Sequence, residues 1–340
     1  MDNEINKQLN LKLFFPFNKN NYHNILVFEN FEHNKLKYII DHKEELTPYF
    51  RKTVKIDSVF DRAKKLLKNA PNGHKQVIYT NYNQLIFLFD IFYPFFYQRI
   101  YPIGRFEASD ISLQNMNREI RNTITHRLYD DIDQVNSHFI FLQYICEKFN
   151  IQIPYVKKYI EDRENILNEL MKKNNFTRDV AKKKIISIMD GYRKEYNSIE
   201  NKTDFVLNFF DEIQRIIKEI SIQFPKTYQI IKSNKKIKNN ILHLTEELPI
   251  KHTVLKLILY TCETYVMLGM CYFFKNILGN LDNIVLLFDG ILLPKNKVND
   301  QMLKQCEKFL FENFKIPVKL KKKKMTNILP ILPKSPELMQ

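Results

Sequence analysis

The 340-residue sequence predicts a mostly helical α+β protein built around a small antiparallel sheet. Three observations lead there: long stretches repeat apolar residues at helical spacing, strand-like runs are few and short, and the chain holds only six glycines. So few glycines argue against solenoids, propellers and glycine-rich barrels, and no internal repeat is present.

In chain order, periodicity predicts helices over 59–67, 139–149, 156–172, 177–189, 203–220, 252–278 and 300–314, since apolar residues three and four apart line one face. Strands are predicted over 125–131, 283–288, 291–293 and 316–321, with a tight Asp289-Gly290 turn joining the second to the third. The segments APNGH (70–74) and YPIG (101–104) read as turns, and KSNKKIKNN (232–240) as a polar basic loop. After residue 328, Pro330, Pro333 and Pro336 mark an ending or a linker.

Composition narrows the class. Hydrophobic residues make up 44% of the chain and include 27 Phe and 18 Tyr, too much buriable surface for disorder as the main state. Four cysteines (Cys146, Cys262, Cys271, Cys306) form no CxxC pair, which excludes a disulfide scaffold and points to a reducing, intracellular setting. The opening MDNEINKQLN shows no signal peptide. Apolar stretches at 85–97 and 254–274 are broken by Asp90 and by Lys256 and Glu263, so both are expected as buried helices, with no membrane partner. A net charge of +15 calls for a polyanion, nucleic acid or a phosphate-rich ligand. No GxxxxGK[ST] occurs, so this sequence carries no P-loop motor.

Two acidic segments look functional. In LYDDIDQVNSH (128–138) a short strand delivers Asp130, Asp131 and Asp133 just before a helix expected to begin near Gln134. Three carboxylates so close together need a compensating cation, for which Mg²⁺ is the usual answer; an Asp N-cap explains the same residues more simply. In NIVLLFDGILL (283–293) a buried strand turns at Asp289-Gly290. A type I′ hairpin explains it structurally, whereas a carboxylate projected from its tip beside Asp131 would complete a two-metal site.

Between these segments, TRDVAKKKIISIMDG (177–191) places Arg178 and Lys182 on one helical face, able to grip a triphosphate or to serve as a solvated basic face. The polar segment 104–118 reads as an irregular loop, a surface connection or a source of donors (Arg105, Gln114) to nucleic acid. The eight histidines form no HxH or HxxxH pair, so zinc is not expected, and His138 is expected to be structural. The tract KLKKKK (319–324) fits a nuclear signal, a DNA-backbone grip or, best, a last strand with a basic solvent face.

Four segments carry a resemblance. GRFEASDISLQNMNREIR (104–121) resembles the GR-L-S-S-x-x-x-N-L-Q-N-I-P-x-R stretch of family A DNA polymerases, and DIDQVN (131–136) resembles their motif A, D-Y-S-Q-I-E. RDVAKKKIISIMDG (178–191) resembles motif B, R-x3-K-x7-Y-G, and LLFDG (286–290) resembles the motif C hairpin. All four occur in family order. Departures are the single acid of Asp289-Gly290, as in single-subunit phage-type RNA polymerases, Asp190 in place of the motif B tyrosine, and Asn136 in place of the motif A glutamate. In style the chain is most similar to the transposon–virus polymerase group of mobile elements and small viruses.

The resemblance implies a right-hand polymerase: a thumb-like helical region over 1–100, palm over 101–150 and 251–327, fingers over 151–250, and a tail or linker over 328–340. It implies that Asp131 and Asp289 ligate two Mg²⁺ (Mn²⁺ as substitute), with Asp133 or Asp130 assisting. Arg178 and Lys182 would hold the β- and γ-phosphates. Asn136 and Asp190 occupy sugar-sensing positions, with Asp190-Gly191 near the nascent base pair. Arg105 and Gln114 would contact the primer–template duplex. Glu263 falls where the family touches template or primer; a buried Glu paired with Lys256 is the alternative. The expected activity is template-directed DNA synthesis, with or without primer synthesis, for a viral or mobile-element genome. Its partners would be primer–template or single-stranded DNA, dNTPs or rNTPs, and a helicase in cis or trans, in the host cytoplasm or at a viral replication site. A primase or RNA-polymerase-like enzyme using rNTPs, and a non-catalytic basic DNA-binding replication factor, are the alternatives.

Overall fold

The computed structural model describes residues 24–50, 55–80, 105–108, 110–233, 250–279 and 283–328, and these group into two units. The architecture is α+β, with many helices and small antiparallel sheets.

The first unit holds the described residues up to 80, then 105–135 and those from 264 on. It opens with β1 (Asn24–Asn30), α1 (His33–Asp41), α2 (Lys43–Leu46), α3 (Ile56–Asn69) and β2 (His74–Thr80). β1 and β2 pair antiparallel over seven residues, and β3 (Glu107–Ala108) joins the far edge of β2. Expected to be helical, this N-terminal region thus contains a sheet. Val77 and Tyr79 turn inward while Ile78 is exposed, the alternation of a half-buried strand.

Next come α4 (Arg118–Thr125) and β4 (Tyr129–Val135). The strand begins later than predicted because residues through Thr125 belong to a helix. Asn117 caps that helix by accepting the Glu119 and Ile120 N–H groups at 2.9 and 3.3 Å. The Thr123 and Thr125 hydroxyls donate back to the Glu119 and Arg121 carbonyls at 2.8 and 2.6 Å, so β-branched residues that read as strand are accommodated in a helix. The unit closes with β5 (Val285–Leu286), β6 (Gly290–Pro294), α13 (Asp300–Phe314) and β7 (Lys319–Lys323). With β4 these strands form an antiparallel sheet of order β5-β6-β4-β7. One core joins α1, α3 and α4 to Tyr129, Val285 and Leu292, so residues 31–70 pack with the second sheet and do not form a separate region.

The second unit, described over 136–233 and 250–263, is helical: α5 (Ser137–Lys148), α6 (Pro154–Glu161), α7 (Arg163–Asn174), α8 (Arg178–Met189), α9 (Arg193–Asn197), α10 (Asp204–Gln223) and α11 (Pro225–Ser233). Phe139, Tyr159, Phe205 and Phe209 form its aromatic centre. Buried Glu212 on α10 accepts the Tyr155 and Val156 N–H groups at 3.1 and 2.8 Å, capping the first turn of α6 from a neighbouring helix. α12 (Ile250–Leu278) starts in this unit and ends in the first. Among the described residues it is the one helix long and apolar enough to cross a membrane, but 83% of its apolar window is buried, as expected for a core helix. The other apolar stretch (85–97), the 101–104 turn, most of the basic loop and the proline tail lie outside the described residues.

Candidate active site on the carboxylate sheet

Strand parity sorts the acids of β4. Side chains alternate between faces, so Asp131 and Asp133 share one face and Asp130 points to the other. Asp130 is buried there, held by Lys322 at 2.7 Å, Lys295 at 3.0 Å and the Asn296 N–H at 2.9 Å. Burial alone would raise its carboxyl, but the two lysines and the N–H outweigh that and hold it below the usual range. The assisting role offered to Asp130 is therefore corrected: it anchors β4 to its neighbours on the face away from Asp131.

The hairpin supplies the third carboxylate. Leu287 and Gly290 pair across it through a 2.9 Å hydrogen bond, so Phe288 and Asp289 form the turn, one residue earlier than predicted. Neither Asp289 nor Gly290 has a positive φ, so the turn is not type I′. Glycine is needed at 290 for another reason: a Cβ there would lie 2.2 Å from the Ile132 carbonyl oxygen. That close approach seats the hairpin tip against β4, with Gly290 opposite Asp133 and the Gln134 N–H donating to the Asp289 carbonyl at 3.0 Å.

Asp131, Asp133 and Asp289 thus come within electrostatic reach of one another. Burial, and then the adjacent Asp289 carboxylate, pushes Asp133 up to about 7. Burial also raises Asp131, with Asp289 adding to the shift and Lys323, Arg121 and Arg118 opposing it. Lys323, directly opposite Asp131 on β7, places its ammonium 2.6 Å from Asp133. The Arg121 guanidinium donates to the Leu113 and Gln114 carbonyls at 3.4 Å each and lies in the field of Asp131 and Asp289. The sequence alone gives Arg118, Arg121 and Lys323 no role beside the carboxylates. Register opposite an acid is the signal that finds Lys323, and it depends on knowing the strand pairing.

Among the described residues no three His, Cys, Asp or Glu side chains already form a metal cage. The donor set nonetheless fits Mg²⁺. Its oxygens are hard ligands, the repulsion among the buried carboxylates favours a cation, and Mg²⁺ is commonly held by one or two carboxylates plus substrate phosphates.

Other predicted residues fall elsewhere. Gln114 is buried. Its amide donates to the Phe106 and Leu286 carbonyls at 3.0 and 2.9 Å and accepts the Ala108 N–H at 2.9 Å. The expected nucleic-acid contact is thus replaced by an internal staple that ties the polar loop to β5. Gln114→Ala leaves these backbone groups unpaired and should cost about 2 kcal/mol. An unchanged urea midpoint would show the staple to be dispensable. The Arg105 guanidinium lies 4.9 Å from the ring centroid of half-exposed Phe288, next to Asp289.

In the second unit, Thr177 caps α8 by accepting the Val180 N–H, and Gly191 ends it at φ +87°, with the Tyr192 N–H on the Ser187 carbonyl at 2.9 Å. Asp190 is the C-terminal cap residue. Arg178 forms a two-pronged ion pair with Glu164 at 2.5 and 2.9 Å, and Lys182 also acts on that carboxylate, so both cations do share a face. Asn136, at φ 54°, leads from β4 into α5 and accepts a hydrogen bond from Arg163. Glu263 is 1% exposed and pairs with His138 at 3.3 Å. This corrects both the nucleic-acid contact and the pairing with Lys256, whose ammonium lies over the Tyr192 and Tyr260 rings.

No protein-family model matches the chain. The chain is 27% identical over 228 residues to a protein of Sputnik virophage named "Putative helicase V13". That match covers 64% of this chain and 28% of the virophage protein, so the similarity spans little more than a quarter of that protein's length. This chain is therefore similar to part of a virophage protein with a helicase's name, while its own sequence has no P-loop.

Proposed function

We propose that this chain is a template-directed nucleotidyltransferase serving the replication of a virophage-like or mobile genetic element. One observation carries the reading: β4 and a hairpin more than 150 residues away in sequence bring Asp131, Asp133 and Asp289 together on one sheet, partly buried and mutually repelling. A purely structural sheet gains nothing from such repulsion. Similarity to a virophage protein supports the setting; in this reading a helicase acts in cis or in trans, since this sequence has no P-loop.

In this reading Asp131 and Asp289, with Asp133, hold Mg²⁺. When bound, Mg²⁺ lowers the pKa of the attacking hydroxyl and offsets phosphate charge. The 3′-oxygen bonds to the α-phosphorus as the bond to the α–β bridging oxygen breaks, the hydroxyl proton passes to solvent, and pyrophosphate departs. Lys323, Arg118 and Arg121 limit carboxylate repulsion before substrate arrives. Arg178 and Lys182 exchange Glu164 for the triphosphate, and that exchange costs little because exposed ion pairs are weak. The polymerase resemblance alone assigns Asn136, Asp190 and Gly191 to the nucleotide and Arg105, stacked on Phe288, to the primer.

The test is incorporation of labelled dNTPs and rNTPs, offered separately, each with and without primer, on a defined DNA template with Mg²⁺. Incorporation in at least one arm is expected, and the primer-free arms separate a primase from an extender. Silence in all four arms by a folded protein that still binds the template would leave the non-catalytic DNA-binding factor.

A further inference from the structure

β7 is an edge strand, and its two faces are used differently. In antiparallel pairing, directly opposite side chains lie on one face. Lys323 faces Asp131, Lys321 faces Asp133 and Lys319 faces Val135, so these three lysines stand on the carboxylate face, about 6.7 Å apart along the strand. Lys322, on the other face, is consumed by Asp130. Lys323 is consumed by Asp133. Lys321 is exposed and makes no ion pair with a described residue. Lys319 is 73% exposed and reaches Glu307 at 3.3 Å. Glu307 is also fixed by the Leu320 N–H at 2.8 Å, so it keeps a partner when Lys319 leaves.

We propose that the outward face of β7 is a phosphate track, in which Lys319 and Lys321 bind successive phosphates of the primer strand beside the carboxylates. Calling that strand the primer rests on the polymerase reading; binding of a nucleic-acid backbone does not. Repeated cations at one strand spacing suit a polymer of regularly spaced anions, and the surplus of 53 basic over 38 acidic residues favours the same partner. Lysines also guard sheet edges against pairing with other chains, which is the competing account.

The experiment measures anisotropy of a labelled primer–template duplex in EDTA across a sodium chloride series, so no turnover is involved. Lys319→Gln/Lys321→Gln is compared with wild type and with Lys304→Gln/Lys308→Gln, which removes two exposed charges from α13 of the same unit. The slope of log affinity against log salt should become shallower by about 1.8 in the first variant, and by about 0.9 in Lys321→Gln alone. The α13 variant should keep the wild-type slope, and all melting midpoints should agree. An unchanged slope in Lys319→Gln/Lys321→Gln, or an equal change in the α13 variant, overturns the track. Self-association of the β7 variant with an unchanged slope overturns it in favour of an edge guard. If wild type incorporates no nucleotide but the slope still falls, the track stands and the polymerase reading falls.

Discussion

Asp289→Ala and Asp131→Ala should each lower nucleotide incorporation by about 10³-fold or more, roughly 4 kcal/mol of transition-state stabilisation. Affinity for primer–template should stay close to that of wild type. The physical signature is that neither change should harm the fold. Asp289 raises the carboxyls of both Asp133 and Asp131, so its removal relieves repulsion in the folded state. Equal or higher stability with lost activity is what a strained functional site shows. Asp130→Ala should behave in the opposite way. It strips two lysines and the Asn296 N–H of their partner and should cost about 2–3 kcal/mol, the lysines' partial exposure having reduced the figure for a fully buried pair. Urea unfolding beside a primer-extension assay reads both quantities. An Asp289→Ala protein with near-normal incorporation would remove the catalytic site altogether.

The acids of this site were legible in sequence because strand ends rich in aspartate are uncommon without a cation. The parity separating Asp130 from Asp131 and Asp133 follows from any strand through 130–133. Its boundaries were less legible: Thr123 and Thr125 look like strand residues until the Asn117 cap is seen to start a helix. In sequence Gly290 reads as a turn former, whereas its role is to let β6 pass close to Ile132. Polar residues turned inward were the hardest to read. Gln114 and Glu263 resemble surface polar residues in sequence, and only tertiary pairing, with Leu286 and with His138, assigns them to the interior. Lys323 sits in a lysine run whose members differ only by which β4 residue each one faces. The β1–β2 ladder escaped notice for a related reason: its buried face includes a carboxylate, Glu29, which breaks the apolar alternation.

That same Glu29 should make the stability of the first unit depend on pH. It is fully buried, accepting the Leu113 N–H at 2.7 Å and the Tyr79 hydroxyl at 2.5 Å. Burial raises its carboxyl from 4.5 to about 7, against the opposing pull of those two hydrogen bonds and of Lys75 and Arg121. Below pH 4.5 folded and unfolded chains are both protonated at this group, and it contributes no pH dependence. Between 4.5 and 7 only the folded chain keeps the proton, so stability falls as pH rises, and above 7 the loss is complete at about 3 kcal/mol. Glu29→Gln holds the neutral form at every pH. Its amide oxygen can accept from Leu113 and its NH₂ can donate to Tyr79, whose hydroxyl also lies against the Ser112 hydroxyl. The variant should therefore match wild type near pH 4.5 and exceed it by up to about 3 kcal/mol at pH 8, measured by urea unfolding. Asp131 and Asp133 titrate in both proteins, so their contribution cancels in the difference. Parallel stability curves from pH 5 to 8 would mean that Glu29 is not held neutral. The effect reaches the site through the loop: the Leu113 N–H bonded to Glu29 adjoins the Leu113 and Gln114 carbonyls that hold Arg121 in the field of Asp131 and Asp289.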